Sequence, residues 1–488
     1  MAIAKENIRL TLGLKIKQLR LDKGLSLSEL AQRSGISISY LNEIEKGKKY
    51  PQSEKILQLS EALEVSYDWL VSLKLHQKLA PIAELLRSNI LQELPLDMLG
   101  IDPAQLIEML SNAPTKLSAF ISTLLEISRN YDMQVEQFYF SVLRSYQELH
   151  DNYFEDLEEE VLRFKQEMKM DLQPLATEQL AAILQNQYNY IIKEHTFEGE
   201  LSNLRYVLLP DKTLLLNKRL DMQQKNFALA RELGFQYLKI QKRTYTFSWV
   251  EVNSFDQVLN NFKASYFAGA LLIDQASLVK ELTHFFKKET WDSNFLPGLL
   301  YRYKVTPEML MHRISNLLPR HFQMHQLFFL RFDDAGQNFN LTKEMHLAGL
   351  HNPHATALGE HYCRKWVSLT VFSKLKAMGR QLICDAQVSQ YYDSPNEYFV
   401  FTLARPMLPT PQLNSSISIG ILLNEETRRK INFLGSLAIR KVGSTCERCS
   451  APDCEVRKAA AHVLEARLKN QRRKEKLAAL MQVPEQPK

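Results

Sequence analysis

Residues 24–51 read GLSLSELAQRSGISISYLNEIEKGKKYP. Ser26 stands three residues before Glu29, the spacing at which a hydroxyl and a carboxylate cap a helix start reciprocally. Leu27, Leu30 and Ala31 then supply one inward face. Gly35 permits a left-handed turn. Ser37 can cap a second helix with Leu41 and Ile44 inward, leaving Ser39, Tyr40, Asn42 and Glu43 outward.

Two short helices joined in this way have the layout of a helix-turn-helix. An outward face of Ser37, Ser39, Tyr40, Asn42 and Glu43 offers hydrogen bonds to base edges and phosphates, and Lys46, Lys48 and Lys49 follow where a DNA backbone would pass. The stretch resembles the Cro-like phage-repressor type of helix-turn-helix, whose signature S-x-S-Y-L-N-x-I-E-x-G stands here as Ser37 to Gly47. Double-stranded DNA is the expected partner. Residues 1–73 carry a net charge of only +2, so one copy should bind weakly, and a homodimer reading two half-sites is expected.

The whole chain has 488 residues, enough for several domains. Its 45% hydrophobic and 24% charged residues set aside wholesale disorder and disulfide scaffolds. Glycine is scarce at 16 residues, which favours helix. No G-x-G-x-x-G, G-x-x-x-x-G-K-[ST] or G-x-S-x-G occurs, so nucleotide hydrolysis and the α/β-hydrolase reading lose their support. Apolar runs such as Tyr266 to Ile273 fall far short of a membrane span, and Met1 to Leu10 lacks a signal-peptide core. A cytoplasmic protein with no membrane partner is expected.

The expected fold is multidomain and predominantly α, with an α+β carboxyl half. Its parts are a helix-turn-helix domain at 1–73, a helical connector or dimerisation region at 74–200, a degenerate metallopeptidase-like region at 201–320 and an α+β ligand-sensing domain at 321–488. In the connector, Asp102 and Pro103 read as N-cap and N1 of one helix, and Leu117, Phe120, Ile121, Leu124 and Ser128 as the inner stripe of the next. Asp151 to Asp171 reads as an acidic, solvated helical face. LRYVLLPDKTLLLN, from Leu204, predicts two short strands turning at Pro210 to Lys212, then a helix over Asn226 to Leu238.

A strand pair, this helix and the later KASYFAGALLI resemble the metallopeptidase-like domain attached to phage-type repressors. Such peptidases carry H-E-x-x-H here, two metal ligands one turn apart with a general base between. This chain has Arg231, Glu232 and Phe235 instead, and no carboxylate from Asn261 to Lys263. No hydrolytic zinc and no enzyme activity are expected, and Glu232 should be a surface or ion-paired residue. Beyond it, a hairpin is predicted at Asp333 to Gly336, with further strands at Gln381 to Val388, Tyr398 to Leu403 and Ser416 to Leu423. Eight Lys or Arg against two Glu from Arg457 to Lys476 suggest a basic surface helix.

Five cysteines in a chain read as intracellular invite a metal or redox explanation. Cys446, Cys449 and Cys454 form C-x2-C-x4-C in GSTCERCSAPDCEVR, a polar loop not expected to bury them as ordinary apolar side chains. A fourth ligand is needed; Cys363 is the first candidate, Cys384 the second and His462 the third. Four thiolates suit structural Zn²⁺ and equally a [4Fe-4S] cluster.

Taken together, the SYLNEIE helix, ASYFAGALL at Ala264 to Leu272, FFLRFDDAG at Phe328 to Gly336 and Cys363-x2-Trp366 with the terminal cysteines resemble the repressor-type regulators of short-chain fatty-acyl metabolism. That resemblance implies regulation of propionate, methylcitrate or glyoxylate-cycle genes. It also implies a GAF-like or peptidase-like core binding an acyl-CoA, in a homodimer coupling this ligand to DNA affinity. A redox- or metal-sensing transcription factor is the alternative.

Overall fold

The computed structural model describes residues 5–72, 135–170, 174–246, 252, 254–334, 336, 339–347, 359–379, 381–392, 394–410 and 413–481. The predicted helix caps at Asp102 and Pro103 and the stripe from Leu117 to Ser128 lie outside these residues. Two compact units form, one from residues 1–146 with 253–256, the other from 147–252 with 257–488.

The first unit begins with five helices: α1 (Lys5–Asp22), α2 (Leu27–Ser34), α3 (Ile38–Glu45), α4 (Ser53–Ala62) and α5 (Tyr67–Val71). Their ends follow the sequence signals. The Ser26 hydroxyl accepts the Glu29 amide at 3.2 Å while the Glu29 carboxylate accepts the Ser26 amide at 2.7 Å. Gly35 closes α2 at φ 67°, and Ser37 caps α3 through the Tyr40 amide. Leu12, Ile16, Leu30, Ile36, Leu41, Ile44, Ile56, Leu59, Leu63 and Leu70 make one buried cluster.

Two further devices lock α1 against the end of α3. A Cβ on Gly13 would come within 2.3 Å of the Ile44 carbonyl oxygen, so only glycine allows this approach. Arg20 donates to both Glu45 carboxylate oxygens, at 2.7 and 2.9 Å, and to the Leu25 carbonyl at 2.8 Å. The pair is buried, and the Glu45 hydrogen bond holds the Arg20 guanidinium above its ordinary pKa.

Helix α6 (Val135–Leu149) leads to the helices α7 (Glu155–Glu167) and α8 (Thr177–Tyr188) of the second unit. A three-stranded sheet follows, β1 (Ile191–His195), β2 (Tyr206–Leu208) and β3 (Thr213–Asn217), in the order β1-β3-β2. The predicted hairpin is the antiparallel β2–β3 pair, with Leu208 opposite Leu214. Strand β1, in the stretch read as helical connector, instead pairs parallel with β3. Its two-sided exposure hid the alternation that marks a strand.

Five helices come next: α9 (Met222–Tyr237), α10 (Phe255–Leu272), α11 (Gln275–Phe286), α12 (Phe295–Tyr303) and α13 (Pro307–Phe322). Then comes a six-stranded sheet of β4 (Leu327–Asp334), β5 (Phe339–His346), β6 (Ile383–Tyr391), β7 (Glu397–Pro406), β8 (Asn414–Leu422) and β9 (Ile439–Val442), in the order β5-β4-β8-β7-β6-β9. All neighbours are antiparallel except β6 and β9. Helix α14 (Val367–Met378) precedes β6 and packs on the sheet over a core that includes Phe328, Phe332, Trp366, Phe372, Tyr398 and Val400. After β8 the chain forms α15 (Glu425–Lys430), then β9 and the terminal α16 (His462–Met481).

The acidic face of α7 is not wholly solvated. Glu158 turns inward and ion-pairs with the buried Arg313 of α13, and it accepts a hydrogen bond from the Tyr266 hydroxyl at 2.7 Å. A carboxylate flanked by acidic neighbours reads as surface until its buried cation, over 150 residues away, is known. No described helix is long and apolar enough to cross a membrane.

Candidate functional site

In the first unit, Ser37, Ser39 and Asn42 are exposed on α3, Tyr40 is half-buried, and Leu41 and Ile44 are fully buried beneath them. Lys55 and Lys49 lie 4.5 and 5.7 Å from the Tyr40 ring centroid, a cation–π arrangement that fixes the ring. Glu43 ion-pairs with Lys49 at 2.8 Å, so it orients a cation at the rim of the face. Lys48 is exposed and Lys46 half-buried. All eight residues assigned to DNA contact thus fall on α3, at its N-cap or just after it.

Behind this face, the buried Lys15 ammonium donates to the Trp69 carbonyl at 2.6 Å, the Ser72 carbonyl at 2.5 Å and the Ser72 hydroxyl at 3.0 Å. It therefore closes the carboxyl end of α5. Burial lowers its pKa to about 8.

In the second unit the peptidase-like positions are internal. The Arg231 guanidinium reaches the Tyr206 hydroxyl at 2.8 Å and the Asn261 carbonyl oxygen at 2.5 Å. A fixed cation thus joins α9 and α10, the two helices that carry the peptidase-like positions. Glu232 is fully buried, not a surface residue. Arg243 grips it with both terminal nitrogens, and the Tyr190 hydroxyl donates to it at 3.0 Å. Burial opposes the Arg243 charge, yet the contact with Glu232 raises its pKa overall. Burial also pushes Tyr206 up to about 12. Both carboxylate oxygens of Glu232 are thus engaged, and the group stands as the buried counter-charge of Arg243.

The cysteine site joins two distant segments. Tyr362 and Thr445 form an antiparallel bridge, Cys363 donates its amide to the Ser444 carbonyl at 3.1 Å, and Cys446 donates to the His361 carbonyl at 2.8 Å. Cys363, Cys446, Cys449 and Cys454 line one small cavity. Cys363 is buried; of the three loop cysteines Cys446 and Cys449 are buried and Cys454 half-buried, which corrects the expectation that the polar loop would leave them open, and Trp366 donates to the Gly443 carbonyl at the start of the loop. A Cβ on Gly443 would lie 2.7 Å from the Cys449 sulfur.

Backbone amides converge on the sulfurs. The Ala451 amide donates to Cys449 Sγ and the Lys458 amide to Cys446 Sγ, both at 3.4 Å. Burial raises the Cys363 thiol pKa, against the opposing amides of Lys365 and Gly443. Arg457 ties the loop together through the Cys446 carbonyl at 2.8 Å and the Ala451 carbonyl at 2.6 Å. In the sequence Arg457 opens the basic tail, and its role becomes visible only once the loop closes. Arg364 also lines the cavity, and its buried Nε has no hydrogen-bond partner. Cys384 lies apart on β6 and His462 is exposed at the start of α16. Among the described residues no three His, Cys, Asp or Glu side chains stand close enough to hold a metal as placed.

Comparison with known families agrees with both units. The family model described as Helix-turn-helix matches residues 16–70. Residues 16–70 therefore form a helix-turn-helix domain, which supports a DNA-binding regulator. The model described as IrrE N-terminal-like domain, a metallopeptidase type, matches residues 187–315, the span that holds Arg231, Glu232 and Asn261. A solved structure of a Mycobacterium tuberculosis transcriptional regulator is similar at 20% identity and a TM-score of 0.48, over 66% of this chain and 94% of that one. No curated protein matches.

Proposed function

We propose that this regulator binds duplex DNA sequence-specifically as a homodimer, and that its second unit sets the affinity in response to an acyl-CoA, so controlling genes of short-chain fatty acid metabolism. The observation that carries the DNA reading is the exposed Ser37, Ser39 and Asn42 face of α3, held rigid from below by Leu41, Ile44 and the Arg20–Glu45 pair. The metabolite reading rests on the motif order from the SYLNEIE helix to the terminal cysteines. The peptidase-like frame serves as a binding body without hydrolysis, because Arg231 and the Glu232–Arg243 pair fill the place of metal and general base.

Cys363, Cys446, Cys449 and Cys454 are assigned as ligands of one thiolate-bound centre, Zn²⁺ first and [4Fe-4S] as the alternative. Their donor set fits such a group: soft sulfurs, amides aimed at them, and Arg364 and Arg457 to offset thiolate charge. Such a centre supplies a cross-link between the strand at Cys363 and the terminal loop. The same cationic flank favours thiolates as a redox switch, which is the second reading.

Fluorescence anisotropy with the chain's own promoter region tests the DNA reading. Affinity should fall steeply with salt concentration, and an acyl-CoA should shift it by roughly tenfold or more, a coupling of about 1.4 kcal/mol. A flat salt response rejects DNA binding; no acyl-CoA effect with DNA binding intact rejects the effector alone.

A further inference from the structure

Helix α16 is rooted in the cysteine loop and then runs free. The Val463 and Leu464 amides of its first turn both donate to the Glu447 carbonyl at 3.2 Å. From Glu465 to Ala478 every residue is exposed. A helix in a folded protein draws most of its stability from packing an apolar face. No such face exists here, because the exposed Leu468 and Leu477 are nine residues apart and so lie on opposite sides of the helix.

Charge, not apolar surface, is what this helix patterns. Six Lys or Arg stand against two Glu from Glu465 to Lys476. Lys469, Arg472, Arg473 and Lys476 follow the i, i+3, i+4, i+7 spacing, so they form one stripe along a single face. On α7 and α15 the surface cations are matched within their own helix: Arg163 by Glu159 and Glu160, Arg429 by Glu425 and Lys430 by Glu426. On α16 none of the four stripe cations makes an ion pair among the described residues. Glu475 accepts instead from Gln471 at 3.1 Å, Glu465 leaves Lys469 unbridged, and Arg472 has a long 3.4 Å contact with the Leu468 carbonyl of its own helix.

We propose that this stripe is a second DNA contact, laid against the phosphate backbone of the duplex whose bases α3 reads; it rests on the DNA reading above. The stripe is about 10 Å long at 1.5 Å per residue. Duplex DNA carries one charge per about 1.7 Å of its axis, so the four cations lie beside several phosphates at once. Residues 1–73 hold a net charge of only +2, which leaves most of the electrostatic binding to be supplied from elsewhere in the chain. Unpaired, exposed Lys and Arg suit contacts that hold the backbone without reading sequence. The stripe therefore adds affinity and leaves discrimination to α3.

Fluorescence anisotropy of the full chain on its own promoter region, across a salt series, compares two variants that each remove two charges from α16. Arg472→Gln/Lys476→Gln empties half the stripe and should lower the slope of log affinity against log salt by about two, weakening matched and random duplexes alike. Arg467→Gln/Lys474→Gln, on the opposite face, should leave the slope nearly unchanged. Lysine acetylation of the unmodified chain, read by mass spectrometry, needs no variant: duplex should protect Lys469 and Lys476 and leave Lys474 reactive. Equal slopes in the two variants overturn the stripe, as does unchanged acetylation of Lys469 and Lys476 on DNA that the chain binds. Reduced self-association of Arg472→Gln/Lys476→Gln in sedimentation velocity without DNA, with the salt slope unchanged, assigns the stripe to a second copy and equally overturns it. No DNA binding by the unmodified chain rejects the DNA reading itself, and the stripe with it.

Discussion

Arg243 meets Glu232 with both terminal guanidinium nitrogens, at 2.7 and 2.5 Å, while its carbon lies 3.6 Å from the centroid of the Phe235 ring. The three residues are buried together. Phe235 and Arg231 stand at the two positions where an active metallopeptidase of this type has histidines. Here one position gives the stacking surface for Arg243, and the other gives a cation held by Asn261. Together these residues make a closed hydrogen-bonded core.

Glu232→Ala should accordingly cost about 3–5 kcal/mol of stability, because it leaves Arg243 buried without its counter-charge. Glu232→Gln retains part of the hydrogen bonding and should cost less. Thermal or urea unfolding measures both. Neither variant should lose a cleavage product, and appearance of cleavage in the unmodified chain alone would contradict the fixed-core account.

On the DNA side, Asn42→Ala should weaken binding to the preferred sequence by roughly 1–3 kcal/mol and blur discrimination at one base position. Lys48→Ala should weaken all sequences alike and reduce the slope of log affinity against log salt by about one. Competition binding across a set of mismatched duplexes separates the two effects. Equal losses on matched and mismatched DNA for Asn42→Ala would make it a backbone contact instead.

Residues 24–47 were legible because each signal there is local: Ser26 with Glu29, Gly35 and Ser37 fix the turn, and Leu41 with Ile44 fix the inner face. The hairpin at Pro210 to Lys212 and the strands β4 to β8 of the larger sheet were legible, whereas the four-residue β9 was not. Strand β1 was not, since both of its faces are largely exposed and its partner β3 comes only after a 3-10 turn and another strand. The ion pairs of Glu158 with Arg313 and of Glu232 with Arg243 were equally hidden. A charged residue on a helix carries no local mark of burial, and only the tertiary partner reveals it. For the cysteines, spacing brought three residues to notice, while the association of Cys363 depends on the Tyr362–Thr445 bridge.

Lys15 gives a pH prediction with a definite sign. Its folded pKa is about 8, below the ordinary lysine value of 10.5. Between these values the unfolded chain holds the proton more tightly than the folded one, so stability rises with pH across that window and is lost as pH falls through 8. Relative to Lys15→Met, which does not titrate, the unmodified chain should gain stability from pH 8 to 10. Chemical unfolding of both at several pH values checks this. A constant difference would show that the hydrogen bonds to Trp69 and Ser72 fully offset the burial.

The cysteine assignment predicts a sharp contrast between two buried thiols. Cys449 sits in the shared cavity and accepts the Ala451 amide, whereas Cys384 sits on β6 opposite Leu403 and does not line the cavity. Cys449→Ser should therefore abolish stoichiometric metal and loosen the segment from Ser444 to Arg457, with a loss that can reach the order of 10 kcal/mol for a structural zinc. Cys384→Ser should retain metal and cost only what a buried polar substitution costs, about 1–3 kcal/mol. Native mass spectrometry and elemental analysis of anaerobically purified protein read the metal and its identity, and hydrogen exchange reads the loop. Strong acid or a chelator should reproduce the Cys449→Ser exchange pattern in the unmodified chain. If Cys384→Ser lost the metal and Cys449→Ser kept it, the ligand set would have to be redrawn around β6.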